Sequence, residues 1–348
     1  MTEIIRIGMD TSKSVFQLHG VDAAERVVLR KKLRRREVLA FFAKLPPCRV
    51  GMEACGGSHY WARELQALGH RVELIPPQYV KPYVPRGKHD AADAAGICEA
   101  MSRPHLQRRL VPVKSAEAQA ALMLAGLRER LVRQRVQLGN TIRGYAAEFG
   151  VIAATGKAKI AALLRRIESE AAVPEAARAL FAELAEEHAR LEAQIETIEA
   201  KLMAWHRQDE LSRRLAQIPG VGPIGASFLV LKAPDPQRFR SGRDFAAWIG
   251  LTPKNHSTAG KQRLGVITRA GDETLRSLLV VGATSVVWQA RRGTSRSAPP
   301  WLLALLARKP PKLAAVALAN KVARIAWKLM VTGERYDPSR LATVPATN

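Results

Sequence analysis

The sequence predicts an α/β domain built on a mixed β-sheet, followed by two largely helical regions. Three observations carry this. Strand-like stretches with period-two apolar spacing crowd the chain before Arg35, helix and strand patterns then alternate, and long runs with apolar residues three and four apart dominate the remainder.

The first strand runs from Glu3 through Gly8 and stops at Asp10. Val15 to Val21 and Val27 to Leu33 repeat the β signal across short polar connections, so the three form an antiparallel meander. Arg36 to Leu45 reads as a helix closed by Pro46 and Pro47, Arg49 to Ala54 as a strand, Ser58 to Leu68 as a helix closed by Gly69, and Arg71 to Ile75 as a strand. A basic loop, Pro76 to His89, leads to a helix from near Asp90. The order β-β-β-α-β-α-β is that of a mixed sheet with helices on its faces.

Ala116 to Phe149 is helical by period, with Leu122, Leu127, Leu131 and Leu138 set among Arg128, Arg130, Arg133 and Arg135. Glu175 to Trp205 carries Leu180, Leu184, Leu191, Ile195, Ile198 and Leu202 at three- and four-residue steps, a coiled-coil-like seam. Its charges are mainly Glu, so it reads as a helical hairpin that buries its stripe against itself or another subunit rather than as a nucleic-acid face. A further, mostly helical domain opens at Ile218 and runs to about Met330. The divisions expected are 1–112, 113–212, 213–333 and a polar tail, 334–348.

The chain of 348 residues carries a formal charge of +24, which calls for a polyanionic partner. No uncharged apolar stretch is long enough for a membrane span, and MTEIIRIGMD is not a secretory signal. Cys48, Cys55 and Cys98 show no CxxC spacing, which fits a reducing cytoplasm. Nucleic acid is therefore the expected partner and a membrane is not.

Four carboxylates stand where chemistry is expected. Asp10 ends the first strand in Ile7-Gly8-Met9-Asp10, and Glu53 ends another in Val50-Gly51-Met52-Glu53. Asp90 and Asp93 are three residues apart, on one side of a helix with small neighbours. Each alone has a plain structural role, as turn or helix cap. Together they repel unless a cation lies between them, which makes a hard oxygen site suited to Mg²⁺ and to phosphoryl transfer.

These residues, with the wording GMDTSK, GMEACGG and GKHDAADA, resemble the RuvC-like domain of the DEDD transposases of the IS-one-ten family, and GKHDAADA is closest to its IS-eleven-eleven branch. The blocks VPVKSAEAQAALML, IPGVGP, WIGLTPKNHSTAGKQRLG and ITRAGDETLR continue the resemblance over most of residues 4–330. It implies an RNase H-like (RuvC-like) fold and Mg²⁺ held by Asp10, Glu53, Asp90 and Asp93. It also implies recombination of donor and target DNA through a serine nucleophile, guidance by a non-coding RNA from the element, a homo-oligomer (dimer or tetramer) and a prokaryotic, nucleoid-associated location.

In the last domain, Pro219-Gly220-Val221-Gly222-Pro223 reads as a helix-hairpin-helix turn. Gly220 and Gly222 there serve either a phosphate contact or a tight turn between packed helices. The polar segment Lys254 to Lys261 holds Ser257 and Thr258 beside Lys254, His256 and Lys261. Read alone it is an ordinary loop; the resemblance makes Ser257, or Thr258 next to it, the nucleophile. Ala259 stands where the family has the first of two glycines. Arg263, Arg269, Arg128, Arg133 and Arg135 complete the expected nucleic-acid contacts, and Arg34 to Arg36 and Arg291-Arg292 are further basic surfaces. Ser241 reads as a helix cap or a phosphate contact, and the tryptophans 61, 248, 288, 301 and 327 as core. Charge and carboxylates without the resemblance leave two rivals, a hydrolytic nuclease with the same metal site and a non-catalytic basic RNA-binding scaffold.

Overall fold

The computed structural model describes residues 3–85, 90–256, 263–293 and 298–339. The chain divides into two compact units, Met1–Gln119 and Ala120–Asn348.

The first unit contains β1 (Arg6–Thr11), β2 (Val15–Val21), β3 (Val27–Arg34), α1 (Val38–Phe42), β4 (Arg49–Glu53), α2 (Ser58–Ala67), β5 (Arg71–Ile75), α3 (Pro77–Val80) and α4 (Asp90–Met101). The five strands form one sheet in the order β3-β2-β1-β4-β5. β1, β2 and β3 are antiparallel neighbours, as the meander required, while β4 lies parallel to β1 and β5 parallel to β4.

Period-two alternation then decides what each face does. Ile7, Met9, Phe16, Leu18, Val50 and Met52 are buried in one cluster with Phe42 of α1 and Trp61 and Leu65 of α2. The opposite face of β1 and β4 presents Gly8 and Gly51, which are register partners. A Cβ at Gly8 would stand 2.2 Å from the Ala94 carbonyl oxygen and 2.5 Å from the Cys98 nitrogen. One at Gly51 would stand 2.3 Å from the Met101 sulfur. The two glycines therefore let α4 lie directly on the sheet, with its own Ile97, Ala100 and Met101 buried.

The second unit holds most of α5 (Ala116–Glu148), then α6 (Lys157–Ser169), α7 (Glu175–Gln208), α8 (Glu210–Leu215), α9 (Pro223–Lys232), α10 (Gly242–Ile249), a hairpin of β6 (Pro253–Asn255) and β7 (Leu264–Ile267), α11 (Glu273–Arg291), α12 (Pro300–Arg308) and α13 (Pro311–Thr332). Leu131, Leu138 and Ile142 of α5 pack with Ile160 and Leu163 of α6 and with Leu191, Ile195 and Ile198 of α7. The stripe read from the sequence is thus buried within the chain, except that Leu180 is 67% exposed. A second cluster joins α9, α10, α11 and α13 through Phe228, Phe245, Leu279 and Leu318.

Candidate active site

Asp10 and Glu53 are each two residues beyond the paired glycines, on the same strands and hence on the same face of the sheet. Met9 and Met52 are register partners, so the two carboxylates occupy equivalent positions at the ends of neighbouring parallel strands. Neighbouring strands are about 4.8 Å apart. Asp93 immediately precedes Ala94, the residue that touches Gly8, which brings the start of α4 to this same edge.

The side chains of Asp10, Glu53 and Asp93 are all half-buried. Burial pushes the Glu53 carboxyl above the usual carboxylate range, and the negative charge of Asp93 pushes it the same way. Asp90 is the first residue of α4, and its side chain lies outside what the structure describes. Among the described residues, no three His, Cys, Asp or Glu side chains are grouped as a metal centre. The donor set nevertheless suits a hard divalent cation, because Glu53 and Asp93 would offer oxygen donors and a cation would relieve the repulsion that Asp93 exerts on Glu53. Thr11 and Cys55 touch beside this edge, with Oγ1 and Sγ 3.5 Å apart.

Gly8 and Gly51 position these carboxylates, and the same Gly-Met-acid triplet written twice is their signal in the sequence. His59 is the second residue of α2. Its Nδ1 accepts from the Lys114 backbone N–H, its Nε2 lies 3.1 Å from the Lys114 Nζ, and burial beside Lys114 and Arg63 pushes its pKa down to about 4.

In the second unit, Ser257, Thr258 and Lys261 lie outside the described residues. Their flanks are described. The His256 N–H donates to the Arg263 carbonyl at 2.8 Å, closing the β6–β7 hairpin, and Lys254, His256 and Arg263 are all exposed. The His256 ring lies against Gly265, where a Cβ would come within 3.2 Å of it.

The root of the hairpin is held firmly. Thr268 donates to the Thr252 carbonyl, Asn320 Nδ2 to the Leu251 carbonyl and Arg276 to the Ile249 carbonyl. Arg269, exposed and left-handed at φ 56°, donates its backbone N–H to Gly250.

Gly220 and Gly222 part company. Gly220 is left-handed at φ 83° and crosses α11 so closely that a Cβ on Gly282 would fall 1.7 Å from its carbonyl oxygen. Packing therefore demands glycine at 282, and the left-handed backbone, with a Cβ 2.9 Å from the Gly282 carbonyl oxygen, demands it at 220. Gly222 begins α9 with open space at its Cβ position.

Arg128 pairs with Glu199 at 2.7 Å and Arg135 with Glu192 at 3.4 Å, both tying α5 to α7, whereas Arg133 is exposed. Ser241 is a helix cap, accepting from the Asp244 N–H. Among the tryptophans, Trp61 is core, but Trp288 is 49% exposed with Arg291 over its ring. No helix among the described residues is long and apolar enough to cross a membrane.

A pair of carboxylates at neighbouring strand ends with a third acid close by, in a chain of charge +24, suits a protein that works on nucleic-acid phosphates. Comparison with known proteins narrows the class. The model of DEDD transposases of the IS110 type matches residues 7–149, and the model described as Transposase IS116/IS110/IS902 family matches residues 212–298.

The putative transposase y4pF/y4sB of Sinorhizobium fredii is 66% identical over 334 residues, covering 96% of this chain and 86% of the relative. A probable family 20 transposase of Pseudomonas aeruginosa is 51% identical, with 96% and 98% covered. The transposase for insertion sequence element IS1111A of Coxiella burnetii is 37% identical, with 97% and 92% covered. The chain belongs to the IS116/IS110/IS902 family of insertion-sequence transposases, and DNA is its substrate.

Proposed function

We propose that this transposase is an RNA-guided recombinase of the IS1111 branch that cuts and rejoins DNA through a phosphoserine intermediate at Ser257, with Mg²⁺ held by Asp10, Glu53, Asp90 and Asp93. The observation that carries the reading is the matched pair of Gly-Met-acid strand ends beneath α4, which sets Asp10 and Glu53 side by side and Asp93 within electrostatic reach of Glu53. The five-stranded mixed sheet supports the RNase H-like assignment. The charge of +24 and the family's wording around residues 254–261 support an RNA partner, donor and target DNA, and a serine step. The family resemblance further implies a homo-oligomer acting near the nucleoid.

In this mechanism the Ser257 hydroxyl attacks a DNA phosphorus, its proton leaves to solvent or a nearby base, and the bond to the 3′ oxygen breaks. The products are a phosphoserine ester and a free 3′ hydroxyl. Attack by a 3′ hydroxyl of the partner strand on that ester releases the serine and rejoins the DNA. The bound metal, when present, supplies charge stabilisation for the departing oxygen. Lys254, His256, Lys261, Arg263 and Arg269 neutralise the phosphates flanking the serine.

The test is cutting by the full-length protein, supplied with RNA from beside its gene, with and without Mg²⁺. Asp10→Asn and Asp93→Asn should each lower strand cutting by about 10²-fold or more while leaving the fold intact. Mg²⁺-independent cutting by both variants would make the carboxylates structural and the reading wrong.

A further inference from the structure

The cross-sheet register extends beyond the carboxylates. Asp10 pairs with Gln17 of β2, and Gln17 pairs with Lys32 of β3, so these residues share one row and one face. The row before it reads Gly8, His19, Arg30. Arg34 pairs with Val15 one step further on. Arg30, Lys32 and Arg34 therefore project from the same face as Asp10 and Glu53, and all three are exposed. β3 is an edge strand, so its outer side has no neighbouring strand among the described residues.

The alternate positions behave differently. Leu29 and Leu33 pack with the α1–α2 cluster, Lys31 stands over the Phe41 ring, and Arg35, just past the strand, stands over the Trp61 ring. Six basic residues between Arg30 and Arg36 thus do not form one undifferentiated patch. Period two sends Arg30, Lys32 and Arg34 to the carboxylate side, with cations about 6.8 Å apart along the strand. That rail lies two strand spacings, roughly 10 Å, from the β1 row that ends at Asp10.

We infer that Arg30, Lys32 and Arg34 form a binding rail for the phosphates of the DNA strand that flank the phosphate cut at Asp10 and Glu53. The inference rests on the proposed function of that site. A strand of phosphates passing the carboxylates carries negative charge into a site that is itself acidic, and a regular file of cations alongside offsets that repulsion. A β-edge suits the task because it holds its side chains at fixed intervals, whereas the same charges on a flexible loop would not select a direction for the strand. Glu37 accepts from the Arg34 backbone N–H, and Glu25 pairs with Arg6.

The experiment compares two double variants of the full-length protein that each remove two charges from the same stretch of chain. Arg30→Gln/Lys32→Gln strips the rail; Lys31→Gln/Arg35→Gln strips the opposite face. Binding of a short fluorescent DNA duplex is measured across a salt series, with melting temperature as the check on folding. The rail variant should lower the slope of log K against log salt by about two, and the other variant by less than one. Arg30→Lys should keep the wild-type slope. An unchanged slope in the rail variant overturns the inference, and so does an equal fall in both variants, which would mean diffuse charge. A fall seen with an RNA hairpin but not with DNA overturns it too, by assigning the rail to RNA. Because binding is read without catalysis, cutting by Asp10→Asn would defeat the site while leaving a positive slope result in place as a DNA surface.

Discussion

Asp93 raises the proton affinity of Glu53: the acid at the start of α4 lies close enough to the end of β4 for its charge to add to the effect of burial. A half-buried acid held beside a second negative charge is a liability in a resting protein and an asset once a cation arrives.

Glu53→Gln should therefore raise the melting temperature of the metal-free protein at neutral pH and abolish the further rise produced by Mg²⁺. The sign follows from the direction of the shift. Folding favours protonated Glu53, an advantage present below the ordinary carboxyl pKa and lost as pH rises through the raised value. Mg²⁺ stabilisation needs the ionised form, so it should fade on acidification at a pH above that expected of an ordinary glutamate. Scanning calorimetry across pH checks both; a wild-type protein indifferent to Mg²⁺ at every pH contradicts them.

Gly8→Ala should destabilise the first unit by about 2–3 kcal/mol, because the new methyl meets backbone atoms of α4 that cannot swing aside. Gly51→Ala should cost less, since its obstacle is the flexible Met101 side chain. Denaturant unfolding of the two variants ranks them. The reverse order would mean that α4 is not seated on Gly8.

These glycines show what was legible. The strands, their order and the acids at their ends follow from period two and from the repeated Gly-Met-acid triplet. The seating of α4 was written there as well, but only as two glycines without an evident reason. Arg128 and Arg135 were not legible, because a run of arginines says nothing about the glutamates, 71 and 57 positions away, that meet them when α5 packs on α7. Leu180 and Trp288 fit their helical patterns and still face solvent, since a pattern identifies a stripe but not the length over which a neighbour covers it.

Arg128→Gln should lower stability by roughly 0.5–1 kcal/mol through loss of the Glu199 pair. Arg133→Gln should leave stability unchanged and reduce the salt slope of nucleic-acid binding by about one. Equal effects of the two on binding, with none on stability, would return Arg128 to the nucleic-acid surface.

Gly282→Ala and Gly220→Ala should each cost about 3 kcal/mol or more, while Gly222→Ala should be close to neutral for folding. Thermal unfolding separates them. Strong destabilisation by Gly222→Ala would indicate a packing demand that its open surroundings do not show.

The proposed covalent step, DNA carried on a hydroxyl of the segment between β6 and β7, is tested directly by mass spectrometry of the protein trapped on nicked target DNA in the presence of RNA and Mg²⁺. A DNA-linked peptide spanning Lys254 to Lys261 is the expected result, present in wild type, absent in Ser257→Ala and retained at least in part by Thr258→Ala. The reverse pattern would place the nucleophile at Thr258. Efficient cutting by both variants, with no protein attached to either DNA end, would contradict the serine mechanism and leave water as the nucleophile.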